Sequence, residues 1–126
     1  MHDEIFAHCD CIRETAFSLH CHLRHSHLER VYESGLAPRL RKQSLTVNQQ
    51  HPLAVFDEDG STLGEFHADL VVDHRLIVEL KAGRALADEH VAQLIGYLRA
   101  SRLEHGLLIN FGSPKLEVKK FVLSAR

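Results

Sequence analysis

The stretch HADLVVDHRLIVELK, from His67 to Lys81, decides the fold of this chain. Its two halves are rich in β-branched and aliphatic residues, and the polar residues 73–75 separate them. Two such runs joined by a short polar segment are typical of an antiparallel hairpin. The stretch is unusual because it also places charged residues inside strands that are otherwise suited to burial.

The length of the loop fixes which residues face each other across the hairpin. If residues 73–75 form the loop, Val72 faces Leu76, and Asp69 lies directly opposite Glu79. Opposed residues share a face, with Cβ atoms about 4.5–5.5 Å apart. A two-residue loop would instead place Asp69 opposite Val78, on the other side of the sheet from Glu79. The register of this hairpin is therefore a direct test of whether the two acids meet.

Two neighbouring carboxylates repel each other and need a positive partner. At an effective dielectric of about 20 and a separation of about 5 Å, the repulsion is roughly 3 kcal/mol, which is large beside the stability of a domain. Lys81, two residues from Glu79 and on the same face, is one candidate partner, and the three-residue loop places His67 opposite it. A divalent cation such as Mg²⁺ is the other, because it binds carboxylate oxygens and keeps sites for water and phosphate. A buried ion cluster without metal is the structural alternative.

Two helices are predicted before this hairpin. A stripe of apolar residues from Ile5 to Leu23 predicts a first helix that ends near Arg24. A second helix is expected from His27 to Gln43, with Ser26 and Glu29 forming an N-terminal capping box. Its expected apolar side carries Leu28, Val31, Leu36 and Leu40.

Strands and one more helix complete the predicted order. Alternation from Val47 to Val55 predicts a strand with Val47, Gln49, His51, Leu53 and Val55 on one side, and a turn at 57–60 leads to a strand over 61–72. A helix over 85–100 and strands over 106–111 and 118–123 follow. This order predicts an α/β fold in which a central mixed β-sheet is flanked by helices. The 126 residues suit one domain, spanning 1–126.

Composition excludes several classes of protein. The net charge of -2 argues against a protein that wraps nucleic acid with an overall basic surface. The sequence contains no Gly-rich phosphate loop, so nucleotide hydrolysis is not predicted. Three cysteines form no paired framework, and neither a membrane span nor a secretion leader is predicted, so we expect a cytoplasmic setting. Cys9 and Cys11 point to opposite sides of a helix, which argues against a zinc site.

A set of basic residues could form a groove for a phosphate backbone. Aromatic residues are not interleaved with these basic residues, so a platform for base stacking is not predicted, and sequence-specific recognition of bases is not expected. A solvated surface is the default interpretation of these residues. The set consists of Arg84, Arg99, Arg102, Lys115, Lys119 and Lys120.

The chain resembles a known family. Asp69, followed after nine residues by Glu79-Leu80-Lys81, is similar to the active-site motif of the PD-(D/E)XK nuclease superfamily, and QLIGY at 93–97 resembles its QxxxY element. More closely, residues 12–123 resemble the small GxxExxY proteins placed in that superfamily, through LERVYE at 28–33 and the segment 106–123. Ser26 stands where that family has its glycine.

The resemblance implies a restriction-endonuclease-like core that hydrolyses nucleic-acid phosphodiester bonds, DNA more than RNA. Carried over to this chain, the Mg²⁺ or Mn²⁺ ligands are Glu29, Asp69, Glu79 and the Leu80 carbonyl, and Lys81 is the catalytic lysine. Gln93 and Tyr97 help to place the phosphate or orient the site, and His90 is a candidate supporting residue. A homodimer would enclose a duplex.

Each of these assignments has an alternative that involves no catalysis. The capping box would use Glu29 for the backbone of Ser26, and Gln93 with Tyr97 would be a pair on one helix face at the border of the core. At the level of the whole protein, the alternative is a binding or assembly module that keeps the nuclease fold without turnover.

Overall fold

The computed structural model describes residues 2–124, with side chains from residue 4 onward. Residues 1, 125 and 126 of the predicted domain lie outside the described residues. The elements follow the predicted order of two helices, three strands, one helix and two strands: α1 (His2–Leu23), α2 (Glu29–Lys42), β1 (Val47–Phe56), β2 (Thr62–Val72), β3 (Leu76–Lys81), α3 (Asp88–Ser101), β4 (His105–Asn110) and β5 (Glu117–Val122).

The five strands form one mixed sheet in the spatial order β1-β2-β3-β4-β5. Neighbouring strands are antiparallel except β3 and β4, which are parallel and joined by the crossover through α3. The predicted central mixed sheet with flanking helices is therefore confirmed. In the part of the chain that the structure describes, no helix combines the length and apolarity that a membrane crossing requires.

The sheet separates two hydrophobic clusters, one on each face. The larger cluster packs α1 and α2 against the sheet, and the smaller one packs α3 against the other face. Leu94 and Leu98 of α3 are fully buried in the smaller cluster, as the helical period of that segment predicts. Cys9 belongs to the larger cluster as a small apolar side chain, whereas Cys21 is exposed.

The predicted capping box at the start of α2 is wrong. The helix begins at Glu29, and the preceding Leu28 has extended backbone angles and no side-chain cap. Ser26 lies in the left-handed region, with φ of +91°. The Tyr32 hydroxyl organises the linker instead, because it donates to the Arg24 carbonyl (2.5 Å) and accepts from the His27 N–H (3.2 Å).

The predicted apolar side of α2 is also partly wrong. Leu36 and Leu40 are buried as expected, but Leu28 is 69% exposed and Val31 is exposed as well. Their places in the core are taken by Tyr32 and by Ala37. The physical reason is that the helix begins two residues later than expected and turns its buried face toward Phe111, on which the Tyr32 ring stacks at 4.5 Å.

Strand β1 does not keep one buried side along its length. Val47 packs in the cluster of α1 and α2, whereas Leu53 packs in the cluster of α3. The facing strand changes sides as well, because Ala68 belongs to the α3 cluster and Leu70 to the other. The change coincides with Gln50, whose φ of +47° interrupts the regular alternation. A break of this kind cannot be read from alternation in the sequence.

Backbone packing immediately after β3 fixes the position at which that strand ends. A Cβ on Gly112 would lie 2.3 Å from the Ala82 carbonyl carbon and 2.4 Å from the Gly83 nitrogen, so no side chain fits there. The buried Asn110 holds the same segment, because its Oδ1 accepts the Gly83 N–H and its Nδ2 donates to the Gly83 carbonyl.

We expect Gly112→Ala to lower the free energy of unfolding by about 3 kcal/mol, the upper end of overpacking costs, because the clash is with backbone atoms. Urea denaturation measures the change. Gly96→Ala is the matched control: its Cβ would meet nothing within 4 Å, and α3 should gain about 0.5–1 kcal/mol. Equal stability of Gly112→Ala and wild type would contradict this close packing.

Candidate active site

The hairpin of β2 and β3 has the register that the three-residue loop predicts. Val72 pairs with Leu76, and Leu70 pairs with Val78. The alternative register, with Asp69 opposite Val78, is therefore excluded. The described pairing ends at Leu70 and Val78, so Asp69 and Glu79 come next to each other where the regular ladder stops.

Side chains replace the backbone ladder at this position. The Asp69 N–H donates to Glu79 Oε2 at 2.7 Å, and the Leu80 N–H donates to Asp69 Oδ2 at 2.8 Å. Each carboxylate thus takes the place of a carbonyl of the facing strand. Two acids that repel each other are held together because each satisfies a backbone donor of the opposite strand.

Glu79 is the most strongly perturbed acid of the site. It is only 2% exposed. Burial raises the pKa of Glu79 from its ordinary 4.5 to about 8, and the neighbouring Asp69 charge adds to the rise. The Asp69 N–H and the Lys81 ammonium oppose this rise without cancelling it. Burial therefore favours the protonated, uncharged form of Glu79 at neutral pH.

The other two predicted acids belong to the same electrostatic cluster. Burial raises the pKa of Asp69, while the Leu80 N–H and the Gln50 amide oppose the rise. Burial also raises the pKa of Glu29, which Lys81 lowers and Asp69 raises further. The first turn of α2 therefore brings Glu29 within electrostatic range of the hairpin acids, although the two segments are about forty residues apart in the sequence.

Lys81 and the two predicted residues of α3 complete the cluster. Lys81 Nζ donates to Gln93 Oε1 at 2.7 Å. Burial raises the pKa of Tyr97, and the charges of Glu79 and Asp69 raise it further. The structure thus brings Gln93 and Tyr97 to the hairpin acids rather than leaving them as an isolated pair on the helix. The Leu80 N–H donates to Asp69. The role of the Leu80 carbonyl as a metal ligand stays a prediction.

Glu33 is a site residue that sequence reasoning does not identify. Its carboxylate accepts from the Gln49 amide at 3.0 Å and from the Gln50 amide at 2.7 Å. The same Gln50 amide donates to Asp69 Oδ1 at 3.2 Å, and the Glu33 charge raises the pKa of Asp69. The signal that could have found it is its position one helical turn after Glu29, on the same side of α2.

Some predicted neighbours do not reach the cluster in the expected way. The described pairing does not extend to His67 and Lys81. His90 Nδ1 accepts the Ala87 N–H at 3.0 Å at the start of α3, and from there the ring is close enough to influence the pKa of Glu29.

The six basic residues do not form one groove. Arg99 and Arg102 line a pocket beside Gln93 and Tyr97, whereas Lys115 lies in a different pocket along α1. Lys120 donates to His105 Nδ1 and interacts with Cys9 of α1, on the other side of the sheet. The possible single basic groove is therefore not formed, because these residues come from elements on different sides of the sheet, and their default interpretation as a solvated surface stays in place for Lys115 and Lys119, which are exposed.

The donors of the cluster suit a hard divalent cation, although they are not arranged as a finished metal site. Within residues 4–124, no group of three or more His, Cys, Asp or Glu side chains has the arrangement of a metal centre. The donor chemistry nevertheless fits, because Glu29, Asp69 and Glu79 offer carboxylate oxygens, and burial raises the pKa of all three, so that a bound cation would favour their ionised forms.

The mixed sheet with an acid pair and a lysine at the end of a central strand defines the class of protein, an α/β fold with a restriction-endonuclease-like core. The family whose sequence model matches the chain is the PD-(D/E)XK nuclease superfamily, with residues 7–121 matched. The chain belongs to this superfamily.

One similar solved structure is named "Crystal structure of SSO0001". Its TM-score is 0.58 and its identity 14%, and the alignment covers 77% of this chain and 50% of that chain. The likeness concerns the fold, and this chain spans about half the length of that protein. No curated protein matches the sequence.

The raised pKa of Glu79 predicts how stability depends on pH. In metal-free buffer, we expect the free energy of unfolding to fall as the pH rises from about 4.5 to about 8, because folded Glu79 binds its proton more tightly than unfolded Glu79. The slope should reach up to about 1.4 kcal/mol per pH unit. Urea titrations in EDTA at several pH values measure it.

Glu79→Gln should flatten this slope and be more stable than wild type at pH 8, because an uncharged amide can still accept the Asp69 N–H. Glu58→Gln, in the exposed turn, is the matched control and should leave the slope unchanged. Identical slopes for wild type and Glu79→Gln would show that Glu79 titrates normally.

Proposed function

We propose that this protein hydrolyses phosphodiester bonds of nucleic acid, DNA more than RNA, with the help of Mg²⁺ or Mn²⁺. The observation that carries the proposal is the buried Glu79 carboxyl beside Asp69, with Lys81 next to them. Membership of a nuclease superfamily supports it. A cytoplasmic setting and a homodimer that encloses a duplex belong to the same proposal.

The burial of the three acids supports a role for a cation. Lys81 lowers the pKa of Glu29, Asp69 and Glu79, yet all three remain raised. Removal from water therefore outweighs the attraction of one ammonium, and the three acids keep their protons to higher pH than in solvent. A divalent cation held by these acids and the Leu80 carbonyl would favour their ionised forms. When bound, such an ion lowers the pKa of a water ligand and offsets charge that develops on the phosphoryl group.

The remaining residues act on the substrate through the protein itself. Lys81 provides an ammonium beside the acids, where it can stabilise the attacking oxygen or the charge on phosphorus. Gln93 fixes the direction of that ammonium through its 2.7 Å hydrogen bond. Tyr97 offers a protonated hydroxyl, and burial and the neighbouring acids raise its pKa further above neutral pH.

A specific observation favours the second candidate, a binding or assembly module without turnover. Asp69 already accepts from Leu80 N–H and from Gln50, and Glu79 accepts from Asp69 N–H. Acids whose oxygens already accept hydrogen bonds from the protein itself can form a stable structural cluster without metal. Metal binding and catalysis are separate tests of the two candidates.

We expect saturable Mn²⁺ binding by isothermal titration calorimetry in wild type, with at least a tenfold loss of affinity in Glu79→Ala, because the substitution removes one buried carboxylate donor. Glu58→Ala, in the exposed turn, is the control and should bind like wild type. Heats without saturation in the wild-type protein would favour the structural ion cluster.

We expect Lys81→Ala to lower the rate of Mn²⁺-dependent cleavage of a labelled DNA substrate by about 10²-fold or more, as for the loss of one preorganised charge at a transition state. Lys119→Ala, an exposed lysine of β5, should cleave at the wild-type rate. Equal cleavage by wild type and Lys81→Ala would assign the activity to a contaminant and leave the binding module as the better candidate.

A further inference from the structure

A groove lies directly beside the acid cluster, between the β1–β2 hairpin and α3. Its volume is about 500 Å³, within the range of about 300–1,000 Å³ that suits small organic groups. It is walled by strand residues on one side and by the exposed side of α3 on the other. The lining includes Phe56, Phe66, Gln93, Tyr97, Arg99 and Arg102.

Three aromatic rings from three different elements meet in this groove. Phe56 is 62% exposed and Phe66 is 44% exposed. The Phe66 ring lies 5.8 Å from the Tyr97 ring, tilted by 41°. Exposed aromatic rings that cluster beside a polar site mark a binding surface, since each costs free energy in water. The sequence shows no aromatic interleaving because β1, β2 and α3 each contribute only one ring, and the fold brings the three rings to one groove.

The charge of the groove selects an anionic ligand. Arg99 and Arg102 line it, and none of the described residues along its wall is acidic. Aromatic faces together with arginines are the combination that binds unpaired bases and their phosphates.

The groove is continuous with the acid cluster. Gln93 and Tyr97 line it, and Gln93 also accepts the hydrogen bond from Lys81. A strand whose phosphate lies at Lys81 would therefore have its next base at the aromatic rings.

We propose that this groove binds an unpaired nucleobase of the substrate strand next to the scissile phosphate, with Arg99 and Arg102 on the adjoining phosphates. The substrate class is thus a single strand or the frayed end of a duplex, so a homodimer would enclose the paired part of such an end while the groove takes its unpaired strand. This inference rests on the proposed function, whose site it extends.

Fluorescence anisotropy with a labelled oligodeoxythymidine, in buffer without divalent ions, tests the groove independently of cleavage. Wild type should bind the single strand at least tenfold more tightly than a hairpin duplex of equal length. Phe56→Ala and Phe66→Ala should each weaken single-strand binding by about tenfold, the usual loss for one base stacked on an aromatic ring. Phe66→Trp should retain wild-type binding.

Phe17→Ala is the matched control, because Phe17 is 58% exposed and lies along α1 in a different pocket. It should leave the affinity unchanged. Arg99→Ala should reduce the slope of log affinity against log salt by about 0.7 for each phosphate that the variant no longer neutralises. In cleavage assays, Phe56→Ala should raise KM for single strands and leave kcat unchanged, since Phe56 is outside the acid cluster.

The possible results separate this inference from the proposed function. Loss of binding in the two Phe→Ala variants without any cleavage by wild type would support the groove and overturn the nuclease proposal. The groove proposal would be overturned if wild type cleaved duplexes but bound no single strand. It would also be overturned if Phe56→Ala and Phe66→Ala bound the single strand as tightly as wild type. A self-association that these variants abolish, with unchanged oligonucleotide binding, would also overturn it and indicate a protein interface.

Discussion

The burial of one carboxyl group beside another is the constraint on which the site depends. Glu79 lies in a strand that is otherwise fully apolar up to its last residue, and its side chain can remain there because it accepts the Asp69 N–H. Asp69 in turn accepts the Leu80 N–H. Backbone pairing of the hairpin stops at this point, and the two carboxylates accept the backbone N–H groups instead. The pKa of Glu79, raised to about 8, shows that burial outweighs these hydrogen bonds and favours the protonated carboxyl.

Phe111 connects the parts of the protein that position the cluster. Its ring stacks on Tyr32, which holds the linker immediately before Glu29. Its N–H donates to the Lys81 carbonyl at 2.8 Å, which extends the pairing of β3 with β4 to the position of the lysine. The neighbouring Asn110 then fixes the chain that leaves β3. A single buried segment at the end of β4 therefore sets the positions of both the helix acid and the lysine.

Local sequence patterns fail at two places for the same physical reason. The pattern at Ser26 and Glu29 predicts a capping box. The backbone of the linker instead forms hydrogen bonds with the Tyr32 hydroxyl, a contact that the pattern does not contain. The alternation in β1 predicts one buried side, but the backbone of Gln50 changes which side faces each cluster. Both outcomes depend on contacts between elements, and tertiary contacts readily outweigh local preference.

The sequence by itself determined the order of the elements and the position of the hairpin, because periodicity is a local property of the chain. The structure chose between the two registers that the loop left open, and so brought Asp69 next to Glu79. Only the tertiary structure decided that Glu33 joins the cluster through Gln50, and that Phe56, Phe66 and Tyr97 line one groove. These groups lie far apart in the sequence. Their meeting depends on how α2 and α3 pack on opposite faces of the sheet, which no local pattern specifies.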